Sequence, residues 1–98
     1  MEVQFADTDL ARLETDANFT KGMSAALVSA YRRRLQGIRA AVDERDLRAM
    51  KSWRFEKLKG SRQHQHSVRL NDQFRLIVEL LGTGRDKQVR IIAIEDYH

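Results

Sequence analysis

The segment Val68-Arg69-Leu70-Asn71-Asp72-Gln73-Phe74-Arg75-Leu76-Ile77-Val78-Glu79-Leu80 decides the fold class. Val68 and Leu70 flank Arg69, and Phe74, Leu76, Val78 and Leu80 again occupy every second position. Between the two runs, Asn71 and Asp72 carry the short polar side chains that close turns. A period of two on both sides of a turn predicts an antiparallel hairpin with one apolar face. Toward the C-terminus, Gly82, Thr83 and Gly84 predict a second turn, and Val89 to Ile94 predicts a last strand, apolar on both faces and therefore central. Toward the N-terminus, Trp53 and Phe55 alternate with Arg54 and Glu56 before a turn at Gly60 and Ser61, which predicts a further strand.

Upstream of Trp53 the period changes. Leu27, Val28, Tyr31, Leu35, Ile38 and Val42 recur at helical spacing behind Ser24, a plausible N-cap. Arg32, Arg33 and Arg39 are expected on the opposite, solvent-facing stripe. Val3 and Phe5 predict a short opening strand, and Asp7 or Thr8 caps a short helix carrying Leu10 and Leu13. Phe19 to Met23 reads as a loop, and Asp43 to Met50 as a charged connection with at most a single helical turn. The fold class expected is α+β: a short N-terminal strand, two helices, then a twisted antiparallel β-sheet with the helices on one face. Residues 1–98 are expected to form one domain, since 98 residues with 42% apolar content fill one core.

The net charge of +4 is unevenly spread: residues 1–20 carry −4, residues 21–62 carry +8, and residues 63–98 balance. A concentrated positive block suits a polyanionic partner, although a solvated helix face explains it equally well. With no cysteine, a disulfide framework, a thiolate metal site and a thiol nucleophile are all excluded. The start lacks a basic segment followed by an apolar run, and no stretch approaches a membrane span, so a cytoplasmic protein without membrane contact is expected.

If Val68, Leu70, Phe74, Leu76 and Val78 face the helices, Arg69 and Arg75 face the other way. A straight last strand would put Asp96 and His98 on one face and Tyr97 on the other, so the open sheet face is expected to gather arginine, aspartate and histidine. Such a group suits cleavage of RNA by its own 2′-hydroxyl, which needs a base, an acid and cations at the phosphorus, and no metal or other cofactor. Plainer readings stand beside this one. A terminal histidine is usually an unstructured end, Arg69 and Arg75 can pair with Glu79 or Asp72, and Lys57 and Lys59 can serve to block edge pairing. His64, His66 and His98 form a weak metal candidate without supporting acidic spacing, and Trp53 reads as core.

The stretch FEKLKGSRQHQHSVRLNDQFRLIVEL, Phe55 to Leu80, together with the ending IEDYH, Ile94 to His98, resembles the HigB branch of the RelE/ParE toxin superfamily, the plasmid maintenance killer type. In that branch a leucine-lysine-glycine segment leads into a strand ending in arginine. An Asn-Asp-Gln-Trp-Arg turn follows, and the chain closes on Asp-Tyr-His. Here the turn is Asn71-Asp72-Gln73-Phe74-Arg75. The resemblance implies a microbial RNase fold and ribosome-dependent endoribonuclease activity, an mRNA interferase that inhibits translation. Carried over by position, Arg75 would stabilise the scissile phosphate, Asp96 and His98 would move protons or contact phosphate, and Tyr97 would hold the substrate. Lys57, Lys59, Arg62 and Arg69 would line the RNA path, and Arg32, Arg33 and Arg39 would meet ribosomal RNA. Where some members have a catalytic histidine, this chain has Glu56, whose carboxylate would serve as base. The implied partner is a helix-turn-helix antitoxin in a toxin-antitoxin hetero-oligomer. Two alternatives share the fold: a non-enzymatic inhibitor of DNA gyrase, as in the ParE branch, and a silent member that only binds antitoxin.

Overall fold

Residues 1–83 and 86–96 are described in the computed structural model. Tyr97 and His98, two of the expected site residues, lie outside the described residues, as does Gly84 of the second expected turn. The chain runs β1 (Glu2–Phe5), α1 (Thr8–Thr15), α2 (Ala25–Ala40), α3 (Glu44–Ala49), β2 (Glu56–Lys57), β3 (Gln65–Arg69), β4 (Phe74–Leu81) and β5 (Gln88–Asp96), with 3-10 turns at Lys51–Trp53 and Gly60–Arg62. The strands form one five-stranded sheet in the order β1-β5-β4-β3-β2.

The helices start where the sequence places caps. Asp7 accepts a hydrogen bond from the Leu10 amide at 2.8 Å, Ser24 from the Leu27 amide at 3.1 Å, and Asp43 from the Arg45 amide at 2.9 Å. The apolar stripe of α2 (Leu27, Val28, Tyr31, Leu35, Ile38) closes on Leu10 and Leu13 of α1 and on Val68, Leu76, Val78, Val89 and Ile91 of the sheet. Tyr31, fully buried, donates its hydroxyl to the Leu10 carbonyl at 2.7 Å, which satisfies the one polar atom that the ring carries inside. The hairpin of the opening segment forms as expected. Asn71 Oδ1 accepts from the amides of Gln73 at 2.9 Å and Phe74 at 2.7 Å, and Arg69 pairs directly with Arg75 across β3 and β4.

Five expectations are corrected. The sheet is mixed, because β1 pairs with β5 in parallel, Val3 opposite Val89 and Phe5 opposite Ile91. Consequently β5 is interior but second from the edge, and β4 is the central strand. The Trp53–Phe55 alternation is not a strand: Lys51–Trp53 is a 3-10 turn, Arg54 is left-handed, and pairing begins only at Glu56. Beyond the two helices expected there is a third, α3, and Val42, expected in the apolar stripe, lies past the end of α2 and is 83% exposed, with Ala41 taking the core position instead.

Candidate active site

Strand alternation sorts the sheet residues into a helix-covered face and an uncovered one. Glu56 of β2 sits opposite Ser67 of β3, Arg69 opposite Arg75 of β4, and Arg75 opposite Glu95 of β5, all on the uncovered face. Arg54, Glu56, Ser67, Arg69 and Arg75 together line a cleft of about 170 Å³. That volume is below the roughly 300 Å³ at which drug-sized ligand pockets begin.

Two arginines directly opposite each other repel. The structure offsets this with carboxylates: Arg69 hydrogen-bonds Asp72, and Arg75 approaches Glu95 at 3.4 Å. Of the plainer readings, the Arg69–Asp72 pair is therefore present, while Arg75 pairs with Glu95. Glu95 is also held bidentately by Arg62, at 2.7 and 3.2 Å, and that ion pair holds its carboxyl below the usual glutamate range despite partial burial. Arg62 further bonds Gln65 at 3.0 Å, so its guanidinium bridges β3 to β5 across β4, where Ile77 is fully buried. Glu95 thus organises two arginines, and the sequence reading missed it.

Asp96 lies elsewhere. It pairs with Phe74 on the helix-covered face and accepts a hydrogen bond from Gln73 at 2.8 Å, which corrects the expectation that the uncovered face gathers Asp96 with the arginines. The cause is a bulge: Ile77 pairs with Ala93 but Val78 pairs with Ile91, leaving Ile92 as an extra residue. Every side chain beyond it changes face, so Glu95 takes the place that unbroken alternation gives to Asp96.

The remaining expected cations divide. Lys57 pairs with His66, hence on the helix side, and Lys59 is exposed in the turn after β2; neither lines the cleft. Arg32 donates to the carbonyls of Leu13 at 3.0 Å and Asp16 at 2.9 Å, capping the end of α1, and Arg39 forms a bidentate pair with Glu14, both bonds 2.8 Å. The expected solvent-facing stripe holds for Arg33, bonded to Ser29, and for Arg39, which is exposed while paired with Glu14; it is corrected for Arg32, which is half-buried against the end of α1. Arg34, not singled out from sequence, donates to the Arg69 carbonyl at 2.9 Å and lies over Trp53. The exposed cations without an ion pair among the described residues are Lys21, Arg33, Lys51, Arg54, Lys57 and Lys59, four of them within residues 51–59.

The histidines separate as well. His64 meets Glu79 at 3.3 Å, while His66 is buried and stacks on Phe55, ring centroids 4.8 Å apart. Among the described residues no group of three or more His, Cys, Asp or Glu is placed to hold a metal. Burial, then the nearby Arg48, Lys57 and Lys87, push the His66 pKa down against an opposing effect of Glu44. The folded state therefore resists protonation that the unfolded chain accepts, so stability is full above pH 6.5 and declines as pH falls below it. Urea unfolding at pH 7.5 and 5.5 should show this loss in the wild type and a smaller one in His66→Phe, which keeps the stack; equal losses would clear His66 of the effect.

A wider depression of about 770 Å³ lies around Met1, Glu2, Val42 and Gln88. Its side-chain cations Arg39 and Lys87 are already paired with Glu14 and Glu44, and the Met1 ammonium is held by the carbonyls of Ile38, Arg39 and Ala41.

A mixed five-stranded sheet, helices on one face and an arginine-rich cleft on the other, defines a small α+β protein with a cationic site on bare sheet. The chain belongs to the family described as RelE-like toxin of type II toxin-antitoxin system HigB, whose model matches residues 3–98. Membership in this toxin family implies an antitoxin partner. The solved structure of a YoeB/ParE toxin from Agrobacterium tumefaciens is similar over 100% of both chains, at 16% identity and a TM-score of 0.64, a likeness of fold. No curated protein gives a significant match. No helix among the described residues is long and apolar enough to cross a membrane.

Proposed function

We propose that residues 1–98 act as a single toxin domain that cleaves messenger RNA on the ribosome. The observation that carries this reading is the cleft itself: Arg54, Arg69 and Arg75 line one small cavity together with Glu56. Glu56 removes the proton from a 2′-hydroxyl, and the resulting oxygen attacks the adjacent phosphorus. The bond from phosphorus to the 5′-oxygen breaks, and that oxygen leaves with a proton supplied by His98, one of the two residues, with Asp96, to which the family resemblance gives proton transfer or phosphate contact. The products are a 2′,3′-cyclic phosphate and a 5′-hydroxyl. Arg75 and Arg69 offset the charge that builds on the phosphoryl oxygens. Because the carboxylate of Glu95 already holds Arg75 and Arg62, the arginines are set in place before substrate arrives. No metal or other cofactor takes part.

The exposed cations from Lys51 to Lys59 provide the longer-range attraction to ribosomal RNA. The antitoxin is a helix-turn-helix protein that binds the toxin in a hetero-oligomer, and the complex resides in the cytoplasm. Primer extension on mRNA in a purified translation reaction, with and without ribosomes, tests the reading on wild type and His98→Ala. Cuts are expected only with ribosomes and wild type. Intact mRNA together with blocked DNA supercoiling would replace the reading with a gyrase inhibitor; intact mRNA alone would leave an antitoxin-binding protein.

A further inference from the structure

Arg62 and Arg75 share Glu95, and Arg69 holds Asp72, so those three arginines each have a carboxylate. Arg54 lines the same cleft as Arg69 and Arg75, is exposed, and has no carboxylate partner among the described residues. Its backbone is left-handed, φ 47° and ψ 52°, a region that disfavours any side chain with a Cβ. The residue closes the 3-10 turn through a bond from its amide to the Lys51 carbonyl. Glycine makes this kind of turn ending without strain, so the turn alone gives no reason for an arginine. The neighbours on either side are buried aromatics: Trp53 against Gly37, and Phe55 stacked on His66. Arg54 is therefore an uncommitted cation on a fixed backbone, held between two anchors at the lip of the cleft.

We propose that Arg54 grips the RNA backbone at the phosphate next to the scissile one, setting affinity for the substrate strand and leaving the chemical step to its neighbours. This rests on the cleavage reading above. It assigns Arg54 a binding role, distinct from the charge stabilisation given to Arg75.

Single-turnover cleavage of mRNA on programmed ribosomes, measured over a range of toxin and salt concentrations, separates the two roles. Arg54→Gly keeps the turn and removes the side chain. Its melting temperature is expected within a few degrees of wild type, with the half-saturating toxin concentration raised about tenfold and the maximal rate within about threefold. The slope of log affinity against log salt should fall by about 0.7, the amount for one single-strand phosphate contact. Arg54→Lys should recover most of the affinity, since a lysine supplies the same charge as a point contact. Wild-type half-saturation and salt slope in Arg54→Gly would overturn the proposal, as would a loss confined to the maximal rate. If wild type cuts and Arg75→Ala does not, those results bear on Arg54 alone; if wild type fails to cut, the cleavage reading falls and this inference with it.

Discussion

Arg75→Ala is expected to lower the single-turnover rate of ribosome-dependent cleavage by about a hundredfold to a thousandfold, the usual effect of removing one preorganised donor to a developing oxyanion. Arg75 stands on β4, the central strand, with its side chain 26% exposed and Arg69 and Glu95 to either side. A guanidinium so placed needs little reorganisation when charge builds on a phosphate in the cleft. Truncation should leave the fold intact, because Glu95 keeps its bidentate partner Arg62 and the neighbouring backbone stays paired on both sides. Arg75→Lys should recover only part of the rate, since an ammonium lacks the planar fork that meets two oxygens. The measurement is the cleavage rate at saturating toxin beside a thermal melt. A rate within threefold of wild type, with the melt unchanged, would remove Arg75 from the chemistry.

The elements that rest on local pattern were legible. Hairpin, turn and apolar faces between Val68 and Leu80 follow from side-chain alternation and from the Asn71 oxygen that accepts two amides. Helix α2 follows from its spacing and its serine cap. What stayed hidden depended on partners far away in the chain. The parallel pairing of β1 with β5 joins residues more than eighty positions apart and leaves no local signature. The contacts of Arg32 with the Leu13 and Asp16 carbonyls and of Arg39 with Glu14 stayed hidden because those partners belong to another helix or its end.

The site shows how one inserted residue redirects chemistry. Counting alternation from Val89 and Ile91, which face the core, puts Asp96 with the arginines; the bulge at Ile92 reverses the count and delivers Glu95 instead. No residue type in Ile91-Ile92-Ala93 marks a bulge. Arg54 was concealed differently: alternating Trp53 and Phe55 imitates a strand, although the two rings are buried on opposite sides of a left-handed residue that ends a helical turn. Both misreadings concern backbone geometry within reach of the cleft, where local rules most often give way to function.

Trp53→Ala should destabilise the protein by about 3–5 kcal/mol, within the range for deleting a buried tryptophan. For a domain of this size that corresponds to a melting temperature lower by roughly 15–30 °C. Trp53 is 6% exposed, packs against α2 where Gly37 leaves room, and lies beneath Arg34, whose guanidinium is 5.4 Å from the ring centre. A Cβ at Gly37 would stand 2.5 Å from the tryptophan ring, so Gly37→Ala forces the ring outward and should cost about 1–3 kcal/mol by overpacking. The double variant is the decisive comparison, because the methyl group enters space that the missing ring has vacated. Its destabilisation should be smaller than the sum of the two single values, measured by urea unfolding. Strict additivity would mean that Gly37 and Trp53 do not share the contact. Since Trp53 precedes Arg54 and lies three residues before Glu56, cleavage by Trp53→Ala should fall further than its folded fraction does. The ring seats the segment that carries both cleft residues, and losing the seat loosens the site before it unfolds the domain.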